Sequence, residues 1–200
     1  MLPDPLPDPL PEPLPDLAAA KALANPLRGR ILRELEILGE ATSTMLATRL
    51  GVTTGGSSYN LRVLERHGFV EDVPERAGRR ERWWRLTRRS VQFPARSRRA
   101  PELDEVVEQL NQRWLAEDLA DYGRLLREPD SLEEWADALP WSRGTIRVTR
   151  DELATFFQEY LALLHRYAGP GDHRADDVRT VRTRFFAFPD PGPRPSAPDG

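Results

Sequence analysis

Three glycines, Gly39, Gly51 and Gly68, each follow a segment whose apolar residues recur at the spacing of a helix. Glycine after such a repeat is typical of a helix C-terminus, because it adopts left-handed backbone conformations without strain. The chain between Pro26 and Gly68 is therefore constrained to short helices joined by tight turns. We predict three of them, spanning about 26–38, 42–50 and 54–67.

The segments that flank these helices complete the predicted N-terminal unit. Asn25-Pro26 is typical of a helix start, with asparagine as the N-cap and proline at the first helical position. A further helix is predicted over Leu17–Leu23, ahead of this start. After the third helix, Phe69-Val70 begins a strand, residues 75–80 form a turn, and residues 82–86 return as a second strand. The predicted order is helix, helix, glycine turn, helix and β-hairpin.

The net charge of −3 conceals a strong asymmetry along the chain. Residues 17–100 carry 17 Lys and Arg against 8 Asp and Glu, a charge of +9, whereas the rest of the chain carries −12. A basic segment beside an acidic one indicates that one part of the protein meets a polyanion and the other does not.

Residues 23–87 resemble the winged-helix domain of ArsR-like bacterial transcriptional regulators. The matching motifs, in order, are Leu23-Ala24-Asn25-Pro26-Leu27-Arg28, Ala47-x-x-Leu50-Gly51-Val52, Ser58-Tyr59-Asn60-Leu61-x-x-Leu64, Gly68-Phe69-Val70, Gly78-Arg79-Arg80-Glu81 and Trp84-Arg85-Leu86-Thr87. The resemblance covers about a third of the chain. It implies a winged helix-turn-helix fold, a homodimer, double-stranded DNA as the partner and a role in transcription regulation.

In such a fold the helix after the Gly51 turn lies in the major groove, and its N-terminal residues reach base edges. The polar residues predicted to contact DNA there are Thr53, Thr54, Ser57, Ser58, Tyr59 and Asn60. Among these, Thr54, Ser58 and Tyr59 are the best candidates for reading bases, and Arg62 is expected to meet a phosphate. Three arginines of the hairpin are predicted to contact flanking phosphates or the minor groove: Arg79, Arg80 and Arg82.

The start of this recognition helix departs from the family pattern. Gly55-Gly56 weakens it by about 1 kcal/mol per glycine relative to alanine. Ser57 stands where the family usually has a small apolar residue packed on the preceding helix. We expect this helix start to fray, and ordering only on DNA is the alternative.

The fold class expected for the whole chain is mainly α with small β elements, and the C-terminal half is α+β and largely helical. Residues 101–127 carry a long apolar stripe that begins at a proline and predicts one long helix. Ser131–Glu134 and Thr149–Glu152 match the capping box and predict two further helix starts. Residues 145–148 are predicted to form a short strand, and residues 178–188 a last extended segment.

These patterns divide the chain into four predicted regions. They are a disordered proline-rich tail over 1–16, a winged helix-turn-helix DNA-binding domain over 17–100, a helical dimerisation domain over 101–188 and a disordered tail over 189–200. The long helix is our candidate dimer element, because of its length and apolar stripe. Two copies would then recognise half-sites about 34–36 Å apart in a near-palindromic operator. Whether the C-terminal half also binds a small-molecule effector is left open.

The sequence gives little support for a metal site, a disulfide or a catalytic site. The chain has no cysteine, which excludes disulfides and thiolate metal sites. Asp172-His173 with Asp176-Asp177 is metal-capable, but it adjoins Gly169-Pro170-Gly171 and is better explained as a solvated loop. We therefore predict no metal, no cofactor and, without any catalytic motif, no enzymatic activity. Without a signal peptide or a membrane helix, we expect a cytoplasmic protein.

One alternative remains for the winged helix. It could serve as a docking platform in a protein-interaction module, with the proline-rich tail recruiting partners. The charge of +9 over residues 17–100 favours DNA, because a docking fold needs no such excess.

Overall fold

The structure, a computed structural model, describes residues 16–74, 81–87, 91, 93–138, 140, 142–167 and 178–192. The chain divides into two units between Gly169 and Pro170. All of the helices and strands described lie in the first unit. The described part of the second unit, residues 178–192, forms neither helix nor strand, so the extended segment predicted there is not a strand.

The first unit begins with four helices and three short strands. In chain order they are α1 Leu17–Ala24, α2 Pro26–Leu38, β1 Glu40–Thr42, α3 Ser43–Leu50, α4 Thr54–Arg66, β2 Val70–Asp72 and β3 Trp83–Leu86. The unit continues with a 3-10 turn at Arg96–Arg98, α5 Pro101–Arg127, a 3-10 stretch at Pro129–Ala138 and α6 Arg150–Tyr167.

Capping residues set the bounds of the N-terminal helices, as the sequence predicted. The Asn25 side chain accepts hydrogen bonds from the backbone N–H groups of Leu27 and Arg28, at 3.0 and 3.2 Å. Gly39 and Gly51 end α2 and α3 with φ of 73° and 66°, which only glycine adopts without strain. The predicted helices and the two hairpin strands are therefore confirmed.

A three-stranded antiparallel sheet closes this part of the fold. Its strand order is β1-β3-β2, so that β3 is central, with Trp84 opposite Ala41 and Asp72. Trp84 is buried in the core. β1 was not predicted, because three residues are too few to show an alternating pattern.

The first half of α5 packs into the same core as α1–α4. Leu103, Val107 and Leu110 are buried in one hydrophobic cluster with residues of the four N-terminal helices. The C-terminal half of the stripe is different, since Leu119 and Leu126 are 60% and 57% exposed. These two leucines lie roughly 150° around the helix from Leu103, so α5 has two apolar faces, one in the core and one exposed, rather than the single predicted stripe.

Two predictions for the C-terminal half are wrong. Residues 145–148 form no strand. The Ser131–Glu134 box heads no α-helix, because the chain forms 3-10 turns there and breaks at Glu133, where φ is 52° and ψ is −130°. The second box is confirmed, with Thr149 N donating to Glu152 Oε2 at 2.7 Å and Glu152 N donating to Thr149 Oγ1 at 3.2 Å.

Several predictions fall on residues that the structure does not describe. They are the proline-rich tail over 1–15, the hairpin turn over 75–80, the acidic cluster at 172–177 and the end of the chain from 193. The domain boundary at residue 100 also stays a prediction.

Mutation can test whether α5 contributes to the same hydrophobic core as the N-terminal helices. Leu110→Ala should lower the free energy of unfolding by about 2–5 kcal/mol, because it leaves a cavity in the core. Gln109→Ala, on the exposed side of the same turn, should change it by less than about 0.5 kcal/mol. Urea denaturation followed by circular dichroism measures both. Equal effects would show that α5 does not contribute to this core.

Candidate nucleic-acid interface

A tight turn places α4 across α3. Gly51 adopts a left-handed conformation, and the N–H of Val52 donates to the carbonyl of Ala47 at 3.0 Å, closing the end of α3. After Thr53 the chain enters α4, and the two helices pack through fully buried leucines, Leu46 on α3 and Leu61 and Leu64 on α4. One face of α4 is therefore fixed in the core, and its opposite face is directed outward.

The N-terminus of α4 is capped despite its two glycines. The Thr53 hydroxyl accepts a hydrogen bond from the N–H of Gly56 at 3.1 Å. A Cβ at residue 56 would lie 3.1 Å from that hydroxyl oxygen, so glycine lets the cap approach closely. The helix forms from Thr54 with both glycines in its first turn, and the start that we expected to fray is helical here.

The outward face of α4 carries most of the predicted contacts. Thr54, Tyr59 and Arg62 are exposed, Tyr59 by 64%, and Ser58 is half-buried. Arg66 is exposed on the same face, seven residues after Tyr59. Within the described part of the chain, neither Arg62 nor Arg66 has an ion-pair partner. Arg66 was not among the predicted contacts, although its helical spacing from Tyr59 and Arg62 places it on the same face of α4.

Two predicted contacts face the interior instead. Ser57 is 0% exposed, and within the described residues its hydroxyl has no hydrogen-bond partner. Asn60 is buried as well, and its side-chain amide donates to the carbonyl of Gly56 at 2.8 Å. Both residues share the inner face of α4 with Leu61 and Leu64, at helical spacing. We therefore withdraw them from the candidate interface.

The hairpin arginine that the structure describes is already paired. Arg82 contacts the carboxylates of Asp72 at 2.9 Å and Glu65 at 3.1 Å, and its guanidinium lies 4.6 Å from the ring centre of Trp84. The hydrogen bond to Asp72 raises the pKa of Arg82. Much of its charge is thus compensated inside the protein. Arg79 and Arg80 lie outside the described residues.

Other basic residues near the N-terminus have structural partners. Arg30 donates to the backbone carbonyl of Leu50 at the end of α3, at 2.9 Å. Arg33 forms an ion pair with Asp121 of α5, and Arg49 forms one with Glu34 of α2. These three arginines therefore stabilise the protein's own fold.

The described residues contain neither a metal-binding cluster nor a membrane-spanning helix. No three His, Asp or Glu side chains there are grouped so as to hold a metal ion. None of the helices described is both long and apolar enough to cross a membrane.

Helix α3, the glycine turn, the half-exposed helix α4 and the strands β2 and β3 together define a winged helix-turn-helix domain. A family model for a helix-turn-helix domain matches residues 23–73. The match confirms the helix-turn-helix on which the resemblance to ArsR-like regulators rests. The predicted fold class, mainly α with small β elements, is also confirmed.

Solved structures of several bacterial proteins are similar to this chain. One is the homodimeric winged helix-turn-helix DNA-binding domain of Mb0332 from Mycobacterium bovis, a possible ArsR-family transcriptional regulator. It is 25% identical to this chain, the match covers 51% of this chain and 77% of the Mb0332 chain, and the TM-score is 0.34. Reduced HlyU from Vibrio cholerae is 23% identical over 49% of this chain and 86% of its own, with a TM-score of 0.32. A mutant MarR from E. coli is 19% identical over 76% of this chain and 85% of its own, with a TM-score of 0.31. No curated protein matches the chain.

The inward position of Ser57 generates a testable prediction. Ser57→Ala should raise the free energy of unfolding by about 1 kcal/mol, because it removes an unpaired buried hydroxyl and improves helix propensity. Thermal unfolding measures this change. Ser58→Ala, the adjacent control, gains only the helix propensity and should raise the free energy of unfolding by no more than about 0.5 kcal/mol. A loss of stability in Ser57→Ala would show that the buried hydroxyl has a partner.

Proposed function

We propose that this protein is a DNA-binding transcriptional regulator whose helix α4 enters the major groove. The observation that carries the proposal is the outward face of α4, which presents hydroxyl, phenol and guanidinium groups while its inner face is held in the core. A helix with one face fixed and the other polar and cationic matches the groove in shape and in charge.

Each exposed residue of α4 has an expected role. Thr54, Ser58 and Tyr59, near the helix N-terminus, contact base edges. Thr53 and the free backbone N–H groups of the first turn suit a phosphate, because the N-terminal end of a helix attracts anions. Two arginines further along α4, Arg62 and Arg66, contact phosphates. Arg79 and Arg80, which lie outside the described residues, are expected from the sequence to add phosphate contacts.

The exposed half of α5 supports a homodimer. Four apolar residues follow one another at spacings of four, three and four, the spacing of a coiled-coil seam: Leu115, Leu119, Tyr122 and Leu126. The three leucines of this seam are 40%, 60% and 57% exposed. Pairing of two such seams would bury them and set two copies of α4 side by side. The operator would then be near-palindromic, with half-sites about 34–36 Å apart.

Salt dependence separates DNA binding from a docking function. Fluorescence anisotropy with duplexes from the region upstream of the protein's own gene should show affinity that falls steeply with salt, because each phosphate contact releases counterions. Arg62→Ala should weaken binding on all sequences and reduce the magnitude of the logarithmic salt slope by about 1. Arg82→Ala is the matched control and should reduce it less, because Asp72 and Glu65 already compensate its charge. Binding that is absent or insensitive to salt would favour the docking platform.

The proposed seam predicts the mass of the protein in solution. Light scattering should give a dimer for the native chain and a monomer for Leu119→Glu, because a buried carboxylate would face its symmetry mate. Ala120→Glu adds the same charge about 100° around the exposed helix surface and should remain a dimer. A monomeric native chain would refute the seam.

A further inference from the structure

The C-terminus of α1 is held by two arginines from other helices. The last four carbonyls of a helix have no partner within it, and α1 ends at Ala24, followed by Asn25 with an extended backbone. Arg28 of α2 donates to the carbonyls of Lys21 and Ala22. The remaining two carbonyls, at Leu23 and Ala24, accept from Arg113 of α5 at 3.1 and 2.7 Å. All four are therefore satisfied by guanidinium groups.

Arg28 also reaches the recognition helix, which Arg113 does not within the described contacts. Its Nη1 donates to the Asn60 side-chain oxygen at 3.4 Å, and the Asn60 amide nitrogen donates to the carbonyl of Gly56. Burial lowers the pKa of Arg28, and the nearby Tyr59 opposes that shift. A guanidinium remains charged in proteins. The cation is thus fixed between the end of α1 and Asn60 on the inner face of α4.

We propose that Arg28 and Asn60 are positioning residues, which adjust the rotation that the buried leucines give to α4 and so aim Tyr59 and Ser58 at the bases. The inference rests on the proposed function and deepens it. Leucines on the inner face of α4 resist separation of the helices, but apolar contacts are not directional. The Arg28–Asn60–Gly56 chain of hydrogen bonds is directional and ties one turn of α4 to a fixed point.

The alternative role for Asn60 is to read a base directly. Asparagine recognises adenine through both its amide nitrogen and its carbonyl oxygen. In this structure the nitrogen is used by Gly56 and the oxygen faces Arg28. A base-reading role would require Asn60 to give up both contacts, which leaves Arg28 without its acceptor on α4.

A comparison of specific and non-specific affinity tests the proposal. The full-length chain is measured against a duplex that the native protein selects from a random pool and against a scrambled duplex of equal composition. Arg28→Met and Asn60→Ala should each weaken binding to the selected duplex about tenfold. Each removes a charge-assisted hydrogen bond that holds α4 in the orientation that fits the bases, and about tenfold corresponds to the free energy of one such bond. Binding to the scrambled duplex should stay unchanged, because it needs phosphate contacts but no exact aim. Partial unfolding would instead weaken both by the same factor.

A double variant and a control complete the experiment. Arg28→Met with Asn60→Ala should bind the selected duplex no more weakly than the weaker single variant, because both remove the same link. Arg113→Met removes the other cap of α1 and should lower the melting temperature without changing the ratio of the two affinities. Additive losses, an equal change of the ratio in Arg113→Met, or a shift in the preferred base at one position in Asn60→Ala would overturn the proposal. Native protein that binds neither duplex would instead refute the proposed function on which it rests.

Discussion

Burial of one face of α4 against α3 is the constraint on which the rest of the structure depends. Leu61 and Leu64 have no exposed surface, and Leu46 of α3 meets them from the other side. Because a helix repeats every 3.6 residues, fixing these positions decides which residues face outward and which face inward. Tyr59 and Arg62 are thereby directed to solvent, whereas Ser57 and Asn60 lie inside although their side chains are polar.

Part of the arginine content of the N-terminal segment is held within the protein and is not free to contact a partner. Several of its arginines bind backbone carbonyls or carboxylates within the protein, and these are Arg28, Arg30, Arg33, Arg49, Arg82 and Arg85. Internal arginines of this kind cap helix ends and join α1, α2 and α5. The excess of +9 over residues 17–100 therefore indicates the part of the chain that meets a polyanion, but it does not count the contacts.

Local signals in the sequence predicted the helices. Most of the features that the sequence did not predict depend on contacts between residues far apart in the chain. Asn25 and Gly51 mark helix ends through bonds to residues a few positions away, so the bounds could be predicted from the sequence alone. Arg82 finds Asp72 and Glu65 across 10 and 17 residues, and no local pattern indicates that its charge is compensated. The burial of Ser57 was suggested by its position in the family pattern, but its hydroxyl also suited DNA. The capping box at Ser131–Glu134 predicted a helix start, but the chain kinks at Glu133 and no α-helix forms there. A capping box alone is therefore not sufficient to start a helix.

The two halves of α5 link the proposed DNA contact to the proposed dimer. Leu103 to Leu110 belong to the core that holds α4, and Asp121, a further three turns along, is tied to α2 by Arg33. The outward seam that begins at Leu115 therefore lies on a helix anchored to the winged helix on both sides of the seam's first turn. A helix anchored in this way cannot swing independently of the core, so a dimer formed through the seam would hold its two recognition helices at a fixed separation. Such a dimer would tolerate little change in the spacing of operator half-sites. A different spacing would have to be matched by bending the duplex, which costs about 1–6 kcal/mol for a site of 20–30 base pairs.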